Sequence, residues 1–303
     1  MIMKEWLTVK SASGLDIFEF HRSELVGLAY RITGSRTEAE DIVQETFLKW
    51  MHADQSSIVS VRAWLMKVAT RLSLDYLKSA KVKRMSYVGP WLPEPFITDE
   101  QTPANELEMD ESISMALLVL LEQLSPAERA SFILHDLFQY RFDEIGDILE
   151  RTESSCRKLA SRARAKIGRD TLEPTQDKAE HIQMLSTFSD AVKKGDMTEL
   201  VALLKDDATF HSDGGGKAAA SRKVLHGSDV IAKFFLKVVR PDWLSKKASE
   251  MTISATWFNG APGMIVRQAG QPITAFNFEL EAGVIKIIHA LRNPDKLRLF
   301  GAR

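Results

Sequence analysis

The hydrophobic period of this chain changes once, near residue 176, and that change requires two kinds of architecture in one polypeptide. Before it, apolar residues recur at helical spacing. Leu25, Leu28 and Ala29 form one such set, Ala39, Val43, Phe47 and Trp50 a second, and Trp64, Val68, Leu72 and Tyr76 a third. After it, a single amphipathic helix (Ile182, Leu185, Phe188, Val192) leads into segments that read as strands. These are 208–212, 251–257, 263–267, 273–280 and 284–288, several of which alternate with period two between Gly, Pro or Asn. The pattern predicts all-α modules followed by an α+β domain, a curved sheet covered by helices. A length of 303 residues accommodates two or three domains, and no internal repeat is present.

Helix-breaking residues set the boundaries. Gly89, Pro90, Pro93, Pro95 and Pro103 make 85–110 a linker, and Pro174 marks a second at 171–177. The expected organisation is a tail at 1–14, helical domains at 15–84 and 111–170, and the α+β domain at 178–303. Thr37 and Glu40 read as a capping box, and Ser125-Pro126-Ala127-Glu128 as a helix start. The single cysteine, Cys156, excludes an intramolecular disulfide and fits a reducing cytoplasm; it reads as a packing residue. The longest apolar run, Met115 to Leu121, is too short for a membrane span, and the N-terminus has no apolar signal core. A cytoplasmic protein without a membrane partner is expected.

A net charge of -1 conceals strong segregation. Residues 151–169 hold seven basic residues and one acid, Glu153. They follow a helix faced by Phe142, Ile145, Gly146 and Leu149 and a turn, Glu150-Arg151-Thr152, that can cap the next helix. In that helix Cys156, Leu159, Ala160, Ala163 and Ile167 form the buried stripe, leaving Ser154, Ser155, Arg157, Lys158, Ser161 and Arg162 outward. This is a helix-turn-helix with a basic second helix, suited to a major groove. A solvated basic helix is the plainer alternative, which the capped turn disfavours. Residues 62–84 likewise hold seven basic residues and one acid, Asp75, alongside Trp64 and Tyr76. Cations beside aromatics suit an opening strand, although the spacing of Trp64 favours the core. The helix before it exposes Asp41, Gln44, Glu45 and Leu48, an acidic face with an apolar tip. From Glu94 to Glu128 there are nine acids and no Lys or Arg, so this stretch is able to lie over a basic DNA-facing surface.

Ala29-Tyr30-Arg31-Ile32-Thr33-Gly34, the run from Ala39 to Phe47 and Ala63-Trp64-Leu65 resemble region 2 of the extracytoplasmic-function (ECF) sigma factors, and 141–167 resemble their region 4. The resemblance covers both helical domains and the Ser125 helix start. It implies two all-α sigma domains, a region 2 bundle and a region 4 helix-turn-helix. It implies that Asp41, Gln44, Glu45 and Leu48 contact the clamp helices of the largest subunit of RNA polymerase core. Arg62, Lys67, Arg71, Asp75 and Lys78 become candidates for the opening −10 strand, and Ser154, Ser155, Arg157, Lys158, Ser161 and Arg162 for the −35 duplex.

Three further stretches resemble those of sigma factors with a fused C-terminal SnoaL-like (NTF2-like) cone, a group with mycobacterial members. They are Trp91-Leu92-Pro93-Glu94-Pro95, Asp213-Gly214-Gly215-Gly216-Lys217 and Asn293-Pro294-Asp295-Lys296-Leu297. The group implies regulation in cis, without a separate anti-sigma protein. Asp213 and Lys217, on a flexible glycine turn, are expected to contact the linker or the helical domains. Region 3 is lacking.

Cone-shaped domains of this type also serve as enzymes, which need a placed carboxylate base and an acid at the oxyanion, often Tyr. Residues 176–303 contain no tyrosine, and Asp206, Asp207, His211, Asp213, His226 and His289 form no recognisable dyad. The glycine run lacks phosphate-loop spacing, and the histidines lack metal-ligand spacing. No catalytic residue, cofactor or metal is expected; the domain leaves room for a small-molecule ligand. The competing functions are a ligand-responsive helix-turn-helix regulator with a SnoaL-like sensor, and a SnoaL-type enzyme fused to a DNA anchor.

Overall fold

The computed structural model describes residues 13–84, 87–97, 114–168, 178–241, 250–259 and 261–301. The tail before Ser13, the acids from Asp99 to Glu111 and the 171–177 linker lie outside the described residues. The chain divides into two compact units. Among the described residues, one comprises 13–82 and 117–168, and the other 83–97, 114–116 and 178–301.

The first unit is helical: α1 (Gly14–Thr33), α2 (Arg36–His52), α3 (Val61–Arg84), α4 (Met115–Leu121), α5 (Pro126–Phe132), α6 (Phe142–Leu149) and α7 (Glu153–Ile167). Caps explain several starts. Ser13 and Asp16 form a capping box on α1, and Gly34 closes that helix in the left-handed region. The cap of α2 is Ser35, whose hydroxyl accepts from the Glu38 amide; the expected box at Thr37 lies inside the helix. Ser125 and Glu128 form the expected box on α5.

The buried face of α3 departs from the sequence reading. Leu65, Met66, Ala69, Thr70, Ser73, Leu77 and Ala80 are buried, whereas Trp64, Val68, Leu72 and Tyr76 are half-buried flanks. The stripe is displaced by one residue because small polar side chains occupy the core: the Ser73 hydroxyl satisfies itself on the Ala69 carbonyl at 2.7 Å. Trp64 still packs, its ring 5.8 Å from that of Trp50. On α2, Ile42 and Thr46 join the buried face and Phe47 is half-buried.

The second unit carries α8 (Lys178–Lys194), α9 (Met197–Leu203), α10 (Ser228–Phe234), α11 (Pro294–Leu297) and six strands. These are β1 (Leu204–Asp213), β2 (Leu225–His226), β3 (Met251–Phe258), β4 (Ala261–Gln268), β5 (Gln271–Glu281) and β6 (Val284–Leu291), in spatial order β2-β1-β6-β5-β4-β3. β1 and β6 pair in parallel, and the other neighbours are antiparallel. All five expected strands are present; β2, two residues long, and the helices α9, α10 and α11 were not read from the sequence. Leu185, Phe188 and Val192 of α8 pack with Phe210, Phe276, Phe278 and Ile288 on one face of the sheet. Ile182, expected on that stripe, is exposed, and Met184 and Ala191 supply the contact instead.

Candidate functional site

The helix-turn-helix is built around a close approach. A Cβ on Gly146 would sit 2.7 Å from the Arg151 carbonyl oxygen, so a side chain there obstructs the turn. Glu150 takes the left-handed conformation that reverses the chain, and Thr152 caps α7 by accepting from the Ser155 amide. Phe142, Ile145 and Ile148 face Cys156, Ala160, Ala163 and Ile167 in the core. Leu149 and Leu159, expected in that stripe, are half-buried. Burial pushes the Cys156 thiol above its ordinary pKa, with the Arg151 charge opposing, so the thiolate is disfavoured.

Outward, Ser154, Arg157, Lys158, Ser161 and Arg162 line one shallow surface groove with Glu153; Ser155 is half-buried at the capped end. Arg157 stacks over Phe142 at 4.8 Å and pairs with Glu153. Two of the basic residues counted in the sequence serve the fold. Arg164 makes a forked pair with Asp136 at 2.7 and 3.1 Å, and Lys166 bonds Glu128 at 2.9 Å. The Lys166 bond, with the Ser125 amide, holds the Glu128 carboxyl down to about 2.

On α2, Asp41, Gln44, Glu45 and Leu48 are all exposed. Leu48 is 57% exposed and Met51 50%, so the acidic face ends in an apolar tip of two residues.

The −10 candidates divide. Lys67 is half-buried, and Lys78 pairs with Asp75 at 2.7 Å in the open. Arg62 forks onto Glu24 at 2.9 and 3.0 Å and lies 5.0 Å from the Tyr140 ring centroid. Burial opposes ionisation of Glu24, but hydrogen bonds from His21 and Arg62 hold its carboxyl at about 2. Arg71 donates to the Ile148 carbonyl at 3.3 Å and to Glu150 at 2.6 Å, binding the last turn of α6. Within this unit the buried Arg129 also donates to the Ile32 carbonyl at 2.8 Å and to Glu122 at 2.6 Å. Arg62, Arg71 and Arg129 thus tie the two helical halves together, an arrangement that charge counting did not reveal.

The second unit brings the three signature stretches to one place, on the sheet face opposite its aromatic core. Asp213, fully buried, is the hub. Its carboxylate accepts from Tyr87 Oη at 2.6 Å, the Leu92 amide at 2.9 Å, the Gly215 amide at 3.0 Å and Lys296 Nζ at 2.8 Å. Lys296 also donates to the Leu92 carbonyl and stands 4.0 Å from the Trp91 ring centroid. Asn293 donates to Tyr87 Oη at 2.9 Å. Burial, then the bond to Asp213, pushes the Tyr87 phenol above its usual range.

Further along, Phe96 and Asn259 exchange bonds at 2.9 Å each, and Leu92 to Phe96, including Pro93, Glu94 and Pro95, are buried. The proline-rich segment is therefore packed against the cone. Tyr87 and Asn259 were not singled out in the sequence, because each lies more than a hundred residues from its partner.

Two expectations are corrected here. The glycine turn is tightly built: a Cβ on Gly214 would collide with the Ala218 carbonyl, and one on Gly215 with Asn293. Lys217 pairs with Asp295 within the cone, and no bond from it to the described part of the linker is formed. Pro294 and Leu297 form the body of α11. Gly216 adopts a positive φ of 72° beside Val88.

The acids and histidines weighed for catalysis fall into two groups. Asp206, Asp207 and His226 are exposed, and Asp207 pairs with Lys286. His211 and His289 lie 5.3 Å apart by ring centroids, on the outer face with Asp213. Burial, with the His289 and His226 charges, lowers the His211 pKa to about 4. No group of metal-ligating side chains occurs among the described residues, and no described helix is long and apolar enough to cross a membrane.

The family models for Sigma-70 region 2 and Sigma-70 region 4 match residues 17–82 and 114–167. The chain is 35% identical to the ECF RNA polymerase sigma factor SigJ of Mycobacterium tuberculosis, over 92% of this chain and 91% of that one. It is 32% identical to the probable ECF RNA polymerase sigma factor SigI of the same organism, over 91% and 92%. The crystal structure of Mycobacterium tuberculosis SigJ superposes with a TM-score of 0.75 at 31% identity, covering 94% of this chain and 98% of that one.

Proposed function

The chain belongs to the ECF RNA polymerase sigma factors, and on that premise we propose how its surfaces divide the work. The α2 face of Asp41, Gln44, Glu45 and Leu48 docks on the clamp helices of core polymerase. The basic side of α3, with Lys67, Asp75 and Lys78 and with Arg62 and Arg71 once released, follows the opening −10 strand. The outward face of α7 enters the major groove of the −35 duplex. The observation that carries this reading is the segregation of exposed charge: acidic with an apolar tip on α2, basic on α7 over a capped helix-turn-helix. Association with DNA draws on the cations, and docking on core draws on the exposed Leu48 and Met51.

The α+β unit acts in cis as a regulator of the sigma domains and not as an enzyme. Its grip on 87–97 through Asp213, Asn293 and Lys296 fixes the segment that joins the two sigma domains in sequence. That grip supports control through linker geometry, without a separate anti-sigma protein.

Duplex binding by single variants tests the assignment on α7. Lys158→Ala and Arg162→Ala should each weaken −35 duplex binding and lower the log-log salt slope by about one. Arg164→Ala, whose side chain is held by Asp136, should leave that slope unchanged. Equal slopes for all three variants and the wild type would remove α7 as the contact face.

A further inference from the structure

The aromatic face of the sheet encloses a cavity of about 250 Å3. Phe210, Phe234, Val266 and Phe276 form its walls, and Ser212, the Ala219–Ser221 loop and Arg292 form one end. Arg292 is the one charged side chain among the described lining residues; its guanidinium donates to the Ala219 carbonyl at 2.6 Å, which orients it at that end. Pockets for drug-sized ligands run from about 300 to 1,000 Å3, so this one suits a smaller molecule. Its walls favour an apolar body, and a guanidinium at one end of an apolar chamber favours an anionic head such as a carboxylate.

The same two strand ends serve the cavity and the linker. Ser212 at the end of β1 and Arg292 just past β6 line the cavity, while Asp213 and Asn293, each the next residue, hold Tyr87 and Leu92 outside. The Arg292 amide donates to the Asp213 carbonyl at 2.7 Å, joining the two strand ends directly. We infer that the cavity binds a small apolar carboxylate and that its occupancy changes the grip on the linker. The second half rests on the linker reading above. A ligand that draws Arg292 and the Ala219 loop inward moves the backbone that carries Asn293 and Asp213.

Calorimetry on the full-length protein, with sodium octanoate and octan-1-ol as probes, tests the site. Octanoate should bind saturably at one site, at least about tenfold tighter than the alcohol. Arg292→Met should abolish that preference, and Ala290→Leu, which fills the chamber, should abolish binding of both. Octanoate should also change amide exchange across residues 88–97. Absence of saturable binding, or binding that survives both substitutions, overturns the site. Binding that depends on Arg292 but leaves linker exchange unchanged overturns the coupling. Asp213→Asn separates the two readings: unchanged linker exchange in that variant means the grip itself is wrong, whatever octanoate does.

Discussion

Single residues hold this molecule's devices in place by charge. Asp213 is a buried carboxylate satisfied by two backbone amides, a phenol and an ammonium. Removing one partner of a buried pair costs about 3–5 kcal/mol, because the other charge is stranded. Lys296→Met should therefore release the linker: amide exchange at 88–97 should accelerate, while that of β5 and β6 stays protected. Unchanged exchange would mean the backbone bonds at Leu92 and Phe96 suffice alone. A second pair of residues sets the acid response. Glu24 and Glu128 have folded pKa values of about 2, below their unfolded values. Their stabilisation is full above the unfolded pKa and is lost as pH falls through the folded one. Melting of the helical unit should fall between about pH 4.5 and 2, and Glu128→Gln should melt lower at neutral pH with a shallower acid dependence.

At the scale of elements, the helix-turn-helix was legible in sequence because its signals are local: a cap, a tight turn and a helical stripe. Gly146→Ala tests the turn. Its Cβ meets a backbone carbonyl, which cannot rotate away, so the variant should lose about 1–3 kcal/mol of stability, together with −35 duplex affinity. Unchanged melting would show that the turn has slack. The strands were legible for the same local reason. The α3 stripe was not, because bulky Trp64, Leu72 and Tyr76 look more like core than Thr70 and Ser73 do. Small polar side chains such as these carry no apolar signal, and Ser73 is accommodated by bonding its own helix. Nor did charge counting separate the cations of α7 that face outward from Arg164 and Lys166, whose acidic partners come from another element. The three signature stretches, Lys296 and Asn293 among them, were singled out as regulatory, but only Asp213 and Lys217 were expected to make the contact with the linker or the helical domains. Among the described residues, Asp213 and Lys296 make that contact together, and Lys217 pairs with Asp295.

At the scale of the whole molecule, the chain is a sigma factor in which two cations proposed for the −10 strand already have partners in the free chain. Arg71 holds the last turn of α6, and Arg62 holds Glu24 beside Tyr140. In the proposed role at the −10 strand, each would exchange these bonds for contacts to phosphates. Core polymerase, docked on α2 as proposed above, is the proposed agent of that exchange. Run-off transcription with purified core polymerase, on a promoter selected by holoenzyme retention, tests this most directly. A discrete transcript is expected with the wild-type chain and none with Asp41→Arg, even though the variant should bind the −35 duplex as well as the wild type. A wild-type chain that binds the promoter tightly alone yet yields no transcript with core would contradict it.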